Sequence, residues 1–167
     1  MTPDEKRERK KSLKQLIENF RKRGATTHPK YLDALRELDG LESRGLDVEK
    51  SKAVVIEAAR RGDFASMKML AEASGVAWMD AHYAIGGHLY ALNRWAAGHG
   101  LPMIGAVVVN QENLDSGKMA SKTLKGFVAA AEDLGRFPPK DDPGLGEDAF
   151  LEAEQRRVFE WAKGSSA

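Results

Sequence analysis

The stretch MKMLAEASGVAWMDAHYAIGGHLYALNRWAAGHGLPMIGAVVVN, residues 67–110, limits what this chain can fold into more than any other. Leu70 and Ala71, followed by Gly75 and Val76, have the pattern of two helices joined by a short turn. In that pattern an apolar anchor and a small residue sit where the second helix crosses the first, and glycine supplies the positive φ of the turn. The spacing predicts helices over residues 67–73 and 77–97, the second with Trp78, Ala81, Ile85, Leu89, Leu92 and Ala96 on a helical repeat. Gly98, Gly100 and Pro102 end it. MIGAVVVN then reads as a short strand, because β-branched valines concentrate between breakers. QENLDSG reads as a turn and KMA as a return strand. A lone strand leaves its backbone groups unsatisfied. The valine strand therefore needs that return strand, a strand from elsewhere, or a second copy in a homodimer.

Helical periodicity covers most of the remainder. Leu13, Leu16, Ile17 and Phe20 form one apolar stripe on a basic N-terminal helix that is expected to contribute charge more than core. His28-Pro29 breaks the chain, and Tyr31, Leu32, Leu35 and Leu38 give a second stripe. Asp47 is placed to cap a third helix with Val48, Val54, Val55 and Ala58 inward, and Asp63 to cap the short helix after it. Leu124, Phe127, Val128, Ala131 and Leu134 mark a helix after the strand, and Phe150, Leu151, Val158, Phe159 and Trp161 a final one beyond the proline-rich RFPPKDDPGLG. The expected fold is mainly α: a winged-helix-like helix-turn-helix centre with one short β-hairpin and helical extensions at both ends. Residues 1–45 form the basic extension, 46–135 the winged-helix-like domain, and 136–167 a proline-rich loop with a C-terminal helix packed on it.

The segments MKMLAEASGV, AIGGHLYAL, GLPMIGAVVVN, DSGKM and LKGF, together spanning about residues 63–130, resemble the DNA-binding half of the alkylguanine-DNA alkyltransferases. That family has a short helix with a Leu-Ala pair, a turn, a recognition helix with small residues, then a proline and a valine-rich strand. The resemblance implies a winged-helix scaffold that meets DNA. It does not imply alkyl transfer. The family's Pro-Cys-His-Arg motif is replaced here by PMIG, residues 102–105, and the chain has no cysteine to accept an alkyl group. A shared fold does not itself give a function.

Composition narrows the classes. Without cysteine there is no disulfide, thiolate metal site or cysteine nucleophile, which suits a cytoplasmic location. No apolar run approaches a membrane span, so no membrane is expected. His82 and His88 are off the i, i+4 spacing that aims two imidazoles at one metal, and Asp80 and His82 point apart on a helix. Ser66 and Ser74 lack a nucleophile elbow, and GHGLPMIG lies between helix and strand, the reverse of a phosphate loop. No catalytic residue, metal or cofactor is expected. The net charge of +1 leaves any attraction to nucleic acid to local patches. The expectation is a non-enzymatic DNA-binding regulator of bacterial or mobile-element type. Its candidate contacts are Trp78, His82 and Tyr83 at the start of the second helix, Arg94 further along it, and Lys118, Lys122 and Lys125 around the wing. The alternative is a protein-binding adaptor or inhibitor that docks through Trp78, Met79 and Tyr83. The pair Gly86-Gly87 inside a helix implies a kink or close approach of a neighbouring helix.

Overall fold

A computed structural model describes residues 1–137 and 146–164. Their contacts divide them into two units, one spanning Met1–Arg44 and one beginning at Gly45. The proline-rich loop expected within 136–146 lies largely outside the described residues, as does the SSA tail.

The first unit is a helical hairpin. Helix α1 (Pro3–Lys22) starts in a capping box: the Thr2 hydroxyl accepts the Glu5 N–H at 3.1 Å, and the Glu5 carboxylate accepts the Thr2 N–H at 2.8 Å. Helix α2 (Pro29–Glu42) starts behind His28, whose Nδ1 accepts the Lys30 N–H at 3.1 Å. Leu13, Ile17 and Phe20 bury against Tyr31, Ala34 and Leu35. The expectation that the N-terminal helix contributes charge more than core is corrected, because α1 supplies half of this small core. Leu16 and Leu32 stay about 40% exposed, at 40% and 41%. Within this hairpin the seam each helix buries against the other is narrower than the stripe its sequence suggests.

In the second unit, α3 (Val48–Arg60) is capped as its sequence predicts, with Asp47 Oδ1 accepting the N–H groups of Glu49 at 2.9 Å and Lys50 at 3.2 Å. Strand β1 (Ala65–Ser66) runs into α4 (Met67–Ala73). Asp63 does not cap α4. It pairs with Arg61 at 3.2 Å, and the cap is Ser66, whose hydroxyl accepts the Met69 N–H at 3.1 Å.

The long helix expected over 77–97 is two helices, α5 (Trp78–Ala81) and α6 (Ile85–Gly98). Between them the Ala84 N–H reaches back only to the Ala81 carbonyl, at 2.9 Å, which tightens the backbone into a turn. Gly86 and Gly87 follow in the first turn of α6. A Cβ on either would meet nothing within 4 Å, so close packing does not account for them. Their low helix propensity accounts for the interruption instead.

The expected β-hairpin is also corrected. Residues Ile104–Val107 form a 3-10 turn, and only β2 (Val108–Val109) is extended. It pairs in parallel with β1, Ala65 beside Val108 and Ser66 beside Val109. Side chains replace the missing ladder: Asn93 Oδ1 accepts the Gly105 N–H at 2.7 Å, and Gln155 Nε2 donates to the Ala106 carbonyl at 2.9 Å. The segment expected as the return strand, 118–120, is a coil leading into α7 (Ser121–Asp133), and its Ala120 N–H bonds Asn110 Oδ1 at 3.2 Å. Helix α8 (Glu147–Gly164) packs on α3, on α7 and on the 104–107 turn, with Phe150, Leu151 and Val158 buried. The described residues are thus mainly helical, with one small parallel sheet. None of their helices is long and apolar enough to cross a membrane.

Candidate functional site

The most exposed apolar surface of the second unit lies at α5, and the turn before it is held from three sides. The Ser74 N–H bonds the Leu70 carbonyl at 3.2 Å, and the Val76 N–H bonds the Ala71 carbonyl at 2.9 Å. The Ser74 hydroxyl accepts the Asp47 N–H at 2.9 Å, which ties the turn to the start of α3. Gly75 takes a φ of +72°, the left-handed conformation that its place in the motif demands. Leu70 and Ala71 are buried and Val76 is half-buried against the core. This is the helix–turn arrangement expected of residues 67–77, although the second helix is a single turn.

On that support Ala81, Ala84 and Ile85 face inward. Trp78, Met79 and Tyr83 face out, at 38%, 80% and 71% exposure. The rings form a group: His82 lies with its centroid 3.9 Å from Tyr83 and 6.2 Å from Trp78. His82 Nδ1 sits 3.2 Å from the Trp78 carbonyl, which fixes the imidazole against the helix turn. Residues 74–87 contain no lysine or arginine, and Asp80 is the one acid. The site is therefore aromatic and apolar rather than cationic.

The other candidate contacts sit on other elements. Arg94, half-buried on α6, holds its guanidinium 5.6 Å from the ring centre of Tyr90, and the Tyr90 hydroxyl donates to the Asp133 carboxylate. Lys118 is exposed in the coil before α7, its N–H bonded to the Ser116 hydroxyl at 3.2 Å. Lys122 and Lys125 are exposed one turn apart on α7. Trp78, His82 and Tyr83 are brought together, whereas the four cations are spread over α6, a coil and α7.

Sequence reasoning missed the polar groups that hold the interior. Ser51 Oγ and His88 Nε2 meet at 2.7 Å, both buried. Burial pushes the His88 imidazole down to about 4, against a smaller upward pull from Asp47. Gln155 spends both amide hydrogens inside, on the Ala106 carbonyl and, at 2.8 Å, on the Gly117 carbonyl. The only sequence signal for these groups is a polar residue on an otherwise apolar helix face. The PMIG segment is also interior: Met103, Ile104 and Gly105 are buried. Among the described residues no three His, Asp or Glu side chains cluster as metal ligands. Compared with protein-family models, with curated proteins and with solved structures, the chain matches none of them.

Proposed function

We propose that this chain binds DNA without acting on it chemically, and that the α5 surface reads unstacked or distorted bases. The observation that carries the reading is the exposed ring group of Trp78, His82 and Tyr83 at the first turn after the helix–turn motif. Aromatic rings held on a rigid support stack on bases at about 1–3 kcal/mol per base, with little demand for local cations. Paired bases inside a duplex offer no such face, so single strands or helix defects are the favoured substrates. The resemblance to the DNA-binding half of the alkylguanine-DNA alkyltransferases supports the same reading, through the order of short helix, turn, helix, proline and valine strand. A winged-helix-like centre belongs to that resemblance. Regulation in a bacterial or mobile-element setting is the biological role this reading carries.

A second reading is favoured by the absence of lysine and arginine from residues 74–87 and by the 80% exposure of Met79. Met and aromatic side chains with few charges are typical anchors for a protein partner. One experiment separates the two. Fluorescence anisotropy with labelled single-stranded, mismatched and perfect duplex DNA, at several salt concentrations, should show a preference for the first two and a loss with Trp78→Ala. If all three bind equally, the α5 reading fails; if none binds at low salt, the DNA reading fails. Co-purification of a partner that is lost with the same substitution would then favour docking.

A further inference from the structure

We infer that one flank of α1 is a phosphate-backbone contact, formed by Arg7, Lys10, Lys11 and Lys14. The inference rests on the nucleic-acid reading above and assigns its electrostatic part to a different unit of the chain. These residues fall at i, i+3, i+4 and i+7, which puts them side by side along one face over about 10 Å of helix. They line a single shallow depression together with Gln15. A strand of duplex presents a phosphate about every 3.4 Å of axis, so about three phosphates lie along that length.

The remaining charges on this face leave the flank basic. Arg7 pairs with Asp4 at 3.5 Å and Lys14 with Glu42 at 3.1 Å, both pairs well exposed. Such pairs hold little free energy in water and yield to a phosphate. Lys10 and Lys11 form no ion pair among the described residues. Arg9 is on another side of the helix, in a two-pronged contact with Glu37 at 2.7 and 2.8 Å, which locks α1 to α2. Glu18, one turn beyond Lys14, ends the stripe.

Two other anionic partners fit less well. A helix that lies in a lipid surface sinks its apolar face into the bilayer. Here Leu13, Ile17 and Phe20 are already buried against α2. A protein partner needs apolar anchors beside the charges, and the exposed surface of this flank has none. What remains is a repeating, flexible anion that needs only charge at regular spacing.

The test uses the full chain with labelled duplex and single-stranded DNA of arbitrary sequence, titrated at several salt concentrations. Replacing Arg7, Lys10, Lys11 and Lys14 together by Gln should weaken binding roughly tenfold or more at low salt. It should lower the slope of log K against log salt by about two to four. A Lys10→Arg, Lys11→Arg chain should bind as the original does. Circular dichroism checks that each variant keeps its helices, and single substitutions of Lys10 or Lys11 stand in if the fourfold variant unfolds. Unchanged affinity and slope would overturn the inference, and so would weaker binding with an unchanged slope. Loss of binding to anionic phospholipid vesicles without loss of DNA binding would overturn it in favour of a membrane contact. If binding depends on the stripe while Trp78→Ala is silent, the α1 contact stands and the α5 reading falls. The reverse pattern sinks the α1 contact alone.

Discussion

Ser51 on α3 and His88 on α6 are hydrogen-bonded across the core of the second unit, Oγ to Nε2 at 2.7 Å. The imidazole stays neutral there because burial holds it down at about 4. An unfolded histidine titrates near 6.5. Between those values the unfolded chain binds the extra proton, so the contribution is complete above about pH 6.5 and is lost as pH falls towards 4. The whole gap is worth roughly 3 kcal/mol. Urea denaturation at about pH 7 and about pH 4.5 should show that loss in the wild type and a smaller one in His88→Asn. Equal acid sensitivity in the two would contradict the account.

Two glycines are expected to be irreplaceable for steric reasons. A Cβ on Gly105 would stand 2.5 Å from Asn93 Oδ1, and one on Gly117 would enter the Phe64 ring at a φ of +71°. Alanine at either should cost about 2–4 kcal/mol through overpacking, with backbone strain added at Gly117. Gly75→Ala has strain but no clash and should cost only about 1 kcal/mol. Thermal melts of the three variants should rank them in that order, and a Gly117→Ala protein as stable as wild type would show that the Phe64 ring can move aside.

Gly86→Ala and Gly87→Ala should raise stability by a few tenths to about 1 kcal/mol each. Both positions are exposed, helical and without a neighbour within 4 Å. A drop in melting temperature would mean that the turn at residues 82–84 depends on glycine flexibility.

Gln155→Leu should cost about 2–4 kcal/mol, because it strips the donor from two buried carbonyls, those of Ala106 and Gly117. Differential scanning calorimetry reads this directly. A neutral result would mean that other donors reach both oxygens.

The sequence carried the elements whose cause is local. Asp47 caps α3, Gly75 turns the chain after α4, and most of the apolar repeats of α7 and α8 are buried as their spacing implies, with Leu134, Phe159 and Trp161 only partly covered. It failed where a distant side chain decides. Residues 104–107 have the composition of a strand, yet Asn93 and Gln155 take their backbone groups and leave a tight turn. The parallel partner at Ala65 and Ser66 is only two residues long, too short to give any alternation. Gly86-Gly87 marks the break after α5, but the apolar repeat keeps the same phase on both sides and so has the pattern of one continuous helix. For the site, the exposure of Met79 and Tyr83 is legible from their place in the first turns of the second helix. The dispersal of Arg94, Lys118, Lys122 and Lys125 over separate elements is not.

The parallel pairing of β1 with β2 also sets an order of events in time. It joins positions roughly 40 residues apart, with α4, α5 and α6 inside the loop it closes. Closing such a loop costs about 3 kcal/mol of chain entropy, roughly twice the cost of the six-residue connection between α1 and α2. The hairpin of the first unit can therefore form on a fast, local schedule, while the second unit depends on long-range encounters, this pairing and the packing of α8 on α3 among them. Until those encounters, residues 103–109 are an uncharged, valine-rich run with open backbone groups, the kind of segment that pairs with a copy of itself. Within the folded chain, Ala65 and Ser66 take the backbone groups of Val108 and Val109, while Asn93 and Gln155 take those of Gly105 and Ala106, so the run is closed off from a second copy.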